Sequence, residues 1–254
     1  MSRDTPLVEI KELTHKFQSG HTALTGVSLS IPRESFTVIG GENGSGKTVL
    51  MKHLNGILSP TSGIVYIDGT SVAVDTRAAR RKVGLVFQNS DTQLVAQTVS
   101  EDIAFGPENL GLSNEEIERR VKEASDAMDL SAILDESPHR LSGGEKKKTA
   151  IAGVLSMEPE LIVFDEPFAG LDYRGVRMLL HKMLTLHNQK KTIIVITHDL
   201  EKVLAHADRL VIMAGGQVVC SGVPAEILKD AAAFGLRVPS HMNHKRMTWL
   251  DETS

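Results

Sequence analysis

The 254-residue chain is predicted to be an α/β protein, a parallel sheet with helices packed on it and a helical segment inserted into it. Three observations carry this expectation. Strand-sized apolar runs alternate with amphipathic runs over the last hundred residues: 161–164, a helix over 174–187, 192–196, and a helix over 199–206. Such alternation places strands side by side with helices returning across them. Residues 36–39, Phe-Thr-Val-Ile, end in Gly40-Gly41 and give way to a helical pattern over 47–58. Between about 91 and 157 the pattern changes, with Ile117, Val121, Ala124 and Met128 at helical spacing among charges and a second helix over 145–155.

In chain order, residues 7–17 and 23–31 alternate well enough for strands, the second through Leu24, Val27, Leu29 and Ile31. Residues 63–69 read as a short strand bounded by Gly63 and Gly69, and 83–87 as a buried one. A hairpin of 209–213 and 217–220 turns at Gly215-Gly216. From 231 the periodicity fades. That tail holds His241, His244 and Trp249, and is read as flexible or packed in preference to a metal site. No internal repeat or low-complexity tract is present.

Bulk properties narrow the class. Hydrophobic residues make up 41% of the chain, enough for a sizeable core, and the formal net charge is -4, which gives no sign of a nucleic-acid partner. The one cysteine, Cys220, cannot form an internal disulfide; it reads as a small hydrophobe in a strand and favours a reducing cytosol. The first thirteen residues carry charges where a signal peptide needs an apolar stretch. No window supplies the roughly 18 uncharged apolar residues of a membrane helix. The expectation is a chain that does not span a bilayer and, if it works at one, docks onto a protein that does.

The chemistry begins at Gly41-Glu42-Asn43-Gly44-Ser45-Gly46-Lys47-Thr48, which fits the P-loop pattern G-x-x-x-x-G-K-[ST] between a strand and a helix. Glycines let successive N–H groups turn inward as an anion nest, and the helix N-terminus adds its positive end. Lys47 would neutralise the β- and γ-phosphates, and the Thr48 hydroxyl would sit on Mg²⁺. The apolar run 161–164 then delivers Asp165 and Glu166 to the end of a strand, where open α/β sheets bind ligands. Asp165 is assigned to the Mg²⁺ shell and Glu166 to the attacking water as general base. No guanine-reading N-K-x-D is present, so ATP is the expected nucleotide.

Leu141-Ser142-Gly143-Gly144-Glu145 stands before a helical pattern and resembles the signature of the ABC (ATP-binding cassette) ATPases, usually LSGGQ, with Glu145 in place of glutamine. The resemblance covers residues 7 to about 230. It implies a RecA-like P-loop NTPase core with an antiparallel β layer and an inserted helical subdomain at about 91–157, within a domain over 1–230; the tail 231–254 is left without a role. It also implies that Ser142 and the glycine amides contact the γ-phosphate held by a second chain, so that two chains enclose ATP and Mg²⁺. By the same resemblance Phe17 matches the adenine-stacking aromatic, unless it is a core residue. Gln88 matches the glutamine at Mg²⁺ and water, Asp172 of Ala169-Gly170-Leu171-Asp172 the D-loop, and His198 the switch histidine at the γ-phosphate.

Residues 86–94 and 102–109, with 150–155, are similar to the ATPases of energy-coupling factor (ECF) transporters, although NSDTQLV stands where NPDDQLF is usual, with Ser90 and Val95 among the departures. This implies a Mg-dependent ATPase at the cytoplasmic face of the membrane, energising uptake of a vitamin or transition-metal ion. Its partners would be a transmembrane coupling subunit, a substrate-binding membrane subunit, and an identical or related ATPase chain. An ordinary ABC transporter ATPase and a non-transport ABC scaffold are the alternatives. The segment 88–109 is expected to grip the coupling subunit through some of Leu94, Val95, Ile103 and Phe105.

Overall fold

The structure, a computed structural model, describes residues 5–236 and 244–250; His241 lies outside them. The chain runs β1 (Val8–Lys16), β2 (Thr22–Ile31), β3 (Phe36–Gly40), α1 (Lys47–Leu54), β4 (Ser62–Ile67), β5 (Thr70–Ser71), α2 (Thr76–Lys82) and β6 (Val83–Val86). It continues through α3 (Val99–Asn109), α4 (Asn114–Ala127), α5 (Gly143–Leu155), β7 (Leu161–Asp165), α6 (Tyr173–Asn188), β8 (Thr192–Ile196), β9 (Arg209–Ala214), β10 (Gln217–Gly222) and α7 (Pro224–Ala231).

These strands form two sheets. One is six-stranded, ordered β10-β9-β3-β8-β7-β6, with β9, β3, β8, β7 and β6 parallel and β10 antiparallel at the edge. The other is an antiparallel layer ordered β2-β1-β4-β5. Strands β3, β6, β7 and β8 are buried along their whole length, which is why they read as unbroken apolar runs instead of alternating ones. Side chains nonetheless alternate between faces. Ile162 and Phe164 join the core shared with the helices α3 to α6, whereas Leu161 and Val163 join the core shared with α1 and the antiparallel layer. Phe164 is fully buried, so truncating it to alanine would cost about 3–5 kcal/mol.

Three differences from expectation have local causes. Helix α1 stops at Leu54, not 58, because Gly56 takes φ 70° and the amides of Ile57 and Leu58 fold back to the Lys52 carbonyl. The helix expected over 199–206 is two 3-10 turns, Leu200–Lys202 and Leu204–His206. There the Ala205 amide, a donor that a helix would use, goes to the Met247 carbonyl at 3.0 Å, and the His206 side chain fastens the same tail through Nε2 to Thr248 Oγ1 at 2.7 Å. Residues 102–109, read only as a motif, lie within α3, which a capping box of Thr98 and Glu101 starts. Helices α2 and α7 were not anticipated.

Candidate active site

The carboxyl ends of β3, β6, β7 and β8 lie on one edge of the six-stranded sheet, and each delivers part of the site. After β3 comes the phosphate loop. Gly41 has φ 155°, and a Cβ there would stand 2.3 Å from the Met213 carbonyl; Gly46 has φ 97°, and its Cβ would stand 2.7 Å from the Ala23 carbonyl. Neither position admits a side chain. No side chain caps α1, so its first amides remain available to an anion. Ser45 is buried beneath the exposed crest of Glu42, Asn43 and Gly44. Lys47 is 6% exposed, and its Nζ donates to the carbonyls of Gly41 at 2.7 Å and Glu42 at 2.8 Å. Burial pushes its pKa down, while the charges of Glu166 and Asp165 oppose that shift.

Replacing Lys47 by alanine should weaken ATP binding by about 1.5–3 kcal/mol, the worth of a charge-assisted contact to phosphate. Equilibrium titration with labelled ATP measures it; an unchanged dissociation constant contradicts the role.

At the end of β7, Asp165 Oδ2 accepts from Thr48 Oγ1 at 2.7 Å, while its buried Oδ1 has no partner. Burial pushes this carboxyl's pKa up; Thr48 opposes the shift and Glu166 adds to it. A buried carboxylate with an orphaned oxygen beside a threonine hydroxyl fits a hard divalent cation, which takes oxygen ligands.

Glu166 has φ 44°, and its amide still continues the sheet to the Ile196 carbonyl at 2.8 Å. Its carboxylate turns toward β8. Oε1 accepts from His198 Nδ1 at 2.8 Å and from the His198 amide at 3.2 Å, and Oε2 accepts from Thr197 Oγ1 at 3.0 Å. Thr197 is fully buried and was not singled out from sequence; its hydroxyl is the group that orients the second oxygen.

Phe17 is 37% exposed, not a core residue. Its ring lies parallel to that of His21, with centroids 6.3 Å apart, and edge-on to His15. Phe17, His21, Lys47, Thr48, Gln88, Asp165 and Glu166 line one cavity of ≈ 220 Å³. His21, flanking the aromatic platform, carried no signal in the sequence beyond its closeness to Phe17.

The signature residues and Asp172 do not line that cavity. Ser142 caps α5, its Oγ donating to Glu145 Oε2 at 2.6 Å and receiving the Glu145 amide at 3.3 Å. Those bonds hold the Glu145 carboxyl below its usual pKa. Gly143 and Gly144 are exposed, and a Cβ on either would meet nothing within 4 Å. Asp172 caps α6, its Oδ1 accepting from the Gly175 amide at 2.7 Å.

A glycine cradle at a helix start, a threonine–aspartate pair and an oriented carboxylate around one aromatic-walled cavity define a P-loop ATPase. The chain belongs to the ABC transporter family, whose profile matches residues 24–169. It is 43% identical over 239 residues to the energy-coupling factor transporter ATP-binding protein EcfA of Methanocaldococcus jannaschii, covering 92% of this chain and 86% of that one. It is 49% identical over 216 residues to the EcfA of Carboxydothermus hydrogenoformans, covering 85% and 80%. Among solved structures it is similar to cbiO1 from Clostridium perfringens, part of the ABC transporter complex cbiONQ, with TM-score 0.79 and 35% identity over 91% of this chain and 93% of that one. It also resembles a dimeric ATP-binding cassette in a post-hydrolysis state bound to ADP and Pi, with TM-score 0.77 and 28% identity over 85% and 98%.

Proposed function

We propose that this chain is the ATP-hydrolysing subunit of an energy-coupling factor importer, working as one of two ATPase chains at the cytoplasmic face of a membrane. The observation that carries the reading is a division of parts. The phosphate cradle, Asp165 and Glu166 share one cavity, whereas Ser142 and the open glycines of the signature stand outside it. Each chain therefore holds its own nucleotide and offers its signature to another chain's. The names of the relatives support the ECF assignment. The cargo class, a vitamin or a transition-metal ion, is what the resemblance of residues 86–94 and 102–109 to the ATPases of such transporters implies.

In this reading Phe17 stacks on adenine, residues 41–48 wrap the phosphates, and Lys47 exchanges its loop carbonyls for phosphate oxygens. Thr48, Gln88 and Asp165 would hold Mg²⁺, which draws charge off the phosphate oxygens. Glu166 removes the proton from the attacking water. Oε1 already receives two donors from His198, so Oε2, which receives only Thr197, keeps a lone pair for that proton. His198 orients the base and reaches the γ-phosphate.

Outside the site, α3 and the residues before it bound a second cavity of ≈ 340 Å³ lined by Leu94, Phe105 and Asp102 among others. Ile103 is fully buried in the core, but Val95 is 66% and Phe105 52% exposed. Asp102 Oδ1 holds the Val95 amide at 2.9 Å, while its buried Oδ2 has no partner. Largely apolar walls with two unpartnered acceptors, Asp102 Oδ2 and Asn55 Oδ1, suit a short helix of a membrane coupling subunit. No helix among the described residues is long and apolar enough to cross a membrane.

The dimer is tested by sedimentation of the Glu166→Gln chain. ATP should drive it to a dimer and ADP should not, because the Ser142 donors need a γ-phosphate. Adding Ser142→Ala should restore the monomer. A monomer with both nucleotides would sink the two-chain site.

A further inference from the structure

Lys147 is a buried ammonium that the chemistry above leaves unused. It lies on α5 shortly past the Ser142 cap and is 5% exposed. Its Nζ donates to the Pro167 carbonyl at 2.9 Å and the Ala169 carbonyl at 3.1 Å. Both carbonyls belong to the turn that leaves Glu166, which is closed by the Ala169 amide on the Glu166 carbonyl at 3.2 Å. The side chain thus ties the signature helix to the segment behind the base, within one chain.

A lysine there is not the stabilising choice. Its partners are carbonyl oxygens and not a carboxylate, and burial pushes its pKa down while the charge of Glu166 pulls it back. A buried ammonium bears a desolvation cost that an apolar side chain of similar length would avoid. What the ammonium supplies is a two-point grip from another element on a turn otherwise held by its own bonds, Ala169 N–H to the Glu166 carbonyl and Leu171 N–H to the Phe168 carbonyl. Glu166 enters it at φ 44°, Gly170 leaves it at φ 74°, and Phe168 between them is anchored in the core. At the other end of the same helix turn, Gly143 and Gly144 face open space.

We infer that Lys147 is a positioning residue, a strut through which the signature helix sets the aim of Glu166. When the start of α5 engages a nucleotide on another chain, Lys147 passes that displacement to the turn carrying this chain's own base. Hydrolysis at one site then answers to occupancy at the other. A contact with defined partners at both ends is the physical form such coupling needs. The inference rests on the reading of Glu166 as the base.

The test uses the full chain as wild type, Lys147→Met, Lys147→Arg and Glu166→Gln. Methionine keeps length and burial but donates nothing; arginine can still donate to both carbonyls. For Lys147→Met the ATP dissociation constant, the KM and the melting temperature should stay close to wild type. Its kcat should fall on the order of 10–100-fold, as small misplacements of a catalytic group do. Lys147→Arg should recover most of that loss. ATP should still dimerise a Glu166→Gln/Lys147→Met double variant. Wild-type kcat in Lys147→Met overturns the strut, as does a loss of kcat that only tracks a loss of folded protein or that arginine does not repair. Should the methionine variant fail to fold, Lys147→Gln, uncharged and one bond shorter than the lysine, carries the same comparison. If Glu166→Gln turns over normally, the base assignment has failed, and that arm separates the two failures.

Discussion

Glu166→Gln is expected to lower ATP turnover by ~10²–10⁴, the usual worth of a general base, with ATP affinity unchanged. The substitution preserves shape. The amide oxygen can still accept from His198, and the amide NH₂ can donate to the Thr197 hydroxyl, so the positions now occupied by Oε1 and Oε2 stay filled. What disappears is the lone pair that would take the water proton. The phosphate loop lies on a different strand, β3, and keeps its lysine and its amides. Single-turnover hydrolysis beside equilibrium ATP binding separates the two effects. Near-normal hydrolysis would remove Glu166 from the chemistry and shift attention to His198.

The second large effect is expected in the groove around α3. Phe105→Asp or Val95→Asp should abolish assembly with the membrane subunits and hence transport. The isolated chain should fold and bind ATP as before, because both side chains already face solvent. A charged group set into an apolar docking surface is desolvated without a partner, and such a penalty amounts to several kcal/mol. Co-purification with the membrane subunits and uptake into vesicles read the outcome. Survival of both would place the docking surface elsewhere. Ile103 is no fair substitute in this experiment: it is fully buried, and altering it would damage the core shared by α3 and α5.

The parts legible in the sequence were those whose chemistry is local. The run 41–48 declares itself because the loop is made by consecutive residues, with glycines at two positions where a side chain has no room. Asp165 and Glu166 declare themselves because a buried strand ends on two acids. Thr197 and Lys147 were invisible for the opposite reason. A threonine ending an apolar run and a lysine in a basic helix have ordinary surroundings in sequence, and their roles exist only across 31 and 20 residues of separation. The helix expected over 199–206 failed similarly, since the carbonyl that takes the Ala205 amide from it belongs to Met247. Gln93, read as a family mark, proves to be a fastener: its Oε1 accepts from the Phe87 amide at 3.1 Å and its Nε2 donates to the Leu85 carbonyl at 3.2 Å. This bracing holds the segment that follows Gln88.

The docked tail has a practical consequence. Trp249 is the chain's single tryptophan, and its ring centre lies 5.5 Å from that of Tyr173, the residue directly after Asp172. The Lys202 ammonium stands 4.8 Å from the same indole and also pairs with Asp199, next to His198. Indole emission is sensitive to nearby charge and to the polarity around the ring. The protein therefore carries one native indole set between the segment that ends at Asp172 and the segment that holds His198. Any rearrangement of either on nucleotide binding is written into the colour and intensity of that emission, readable in the unmodified chain without a dye.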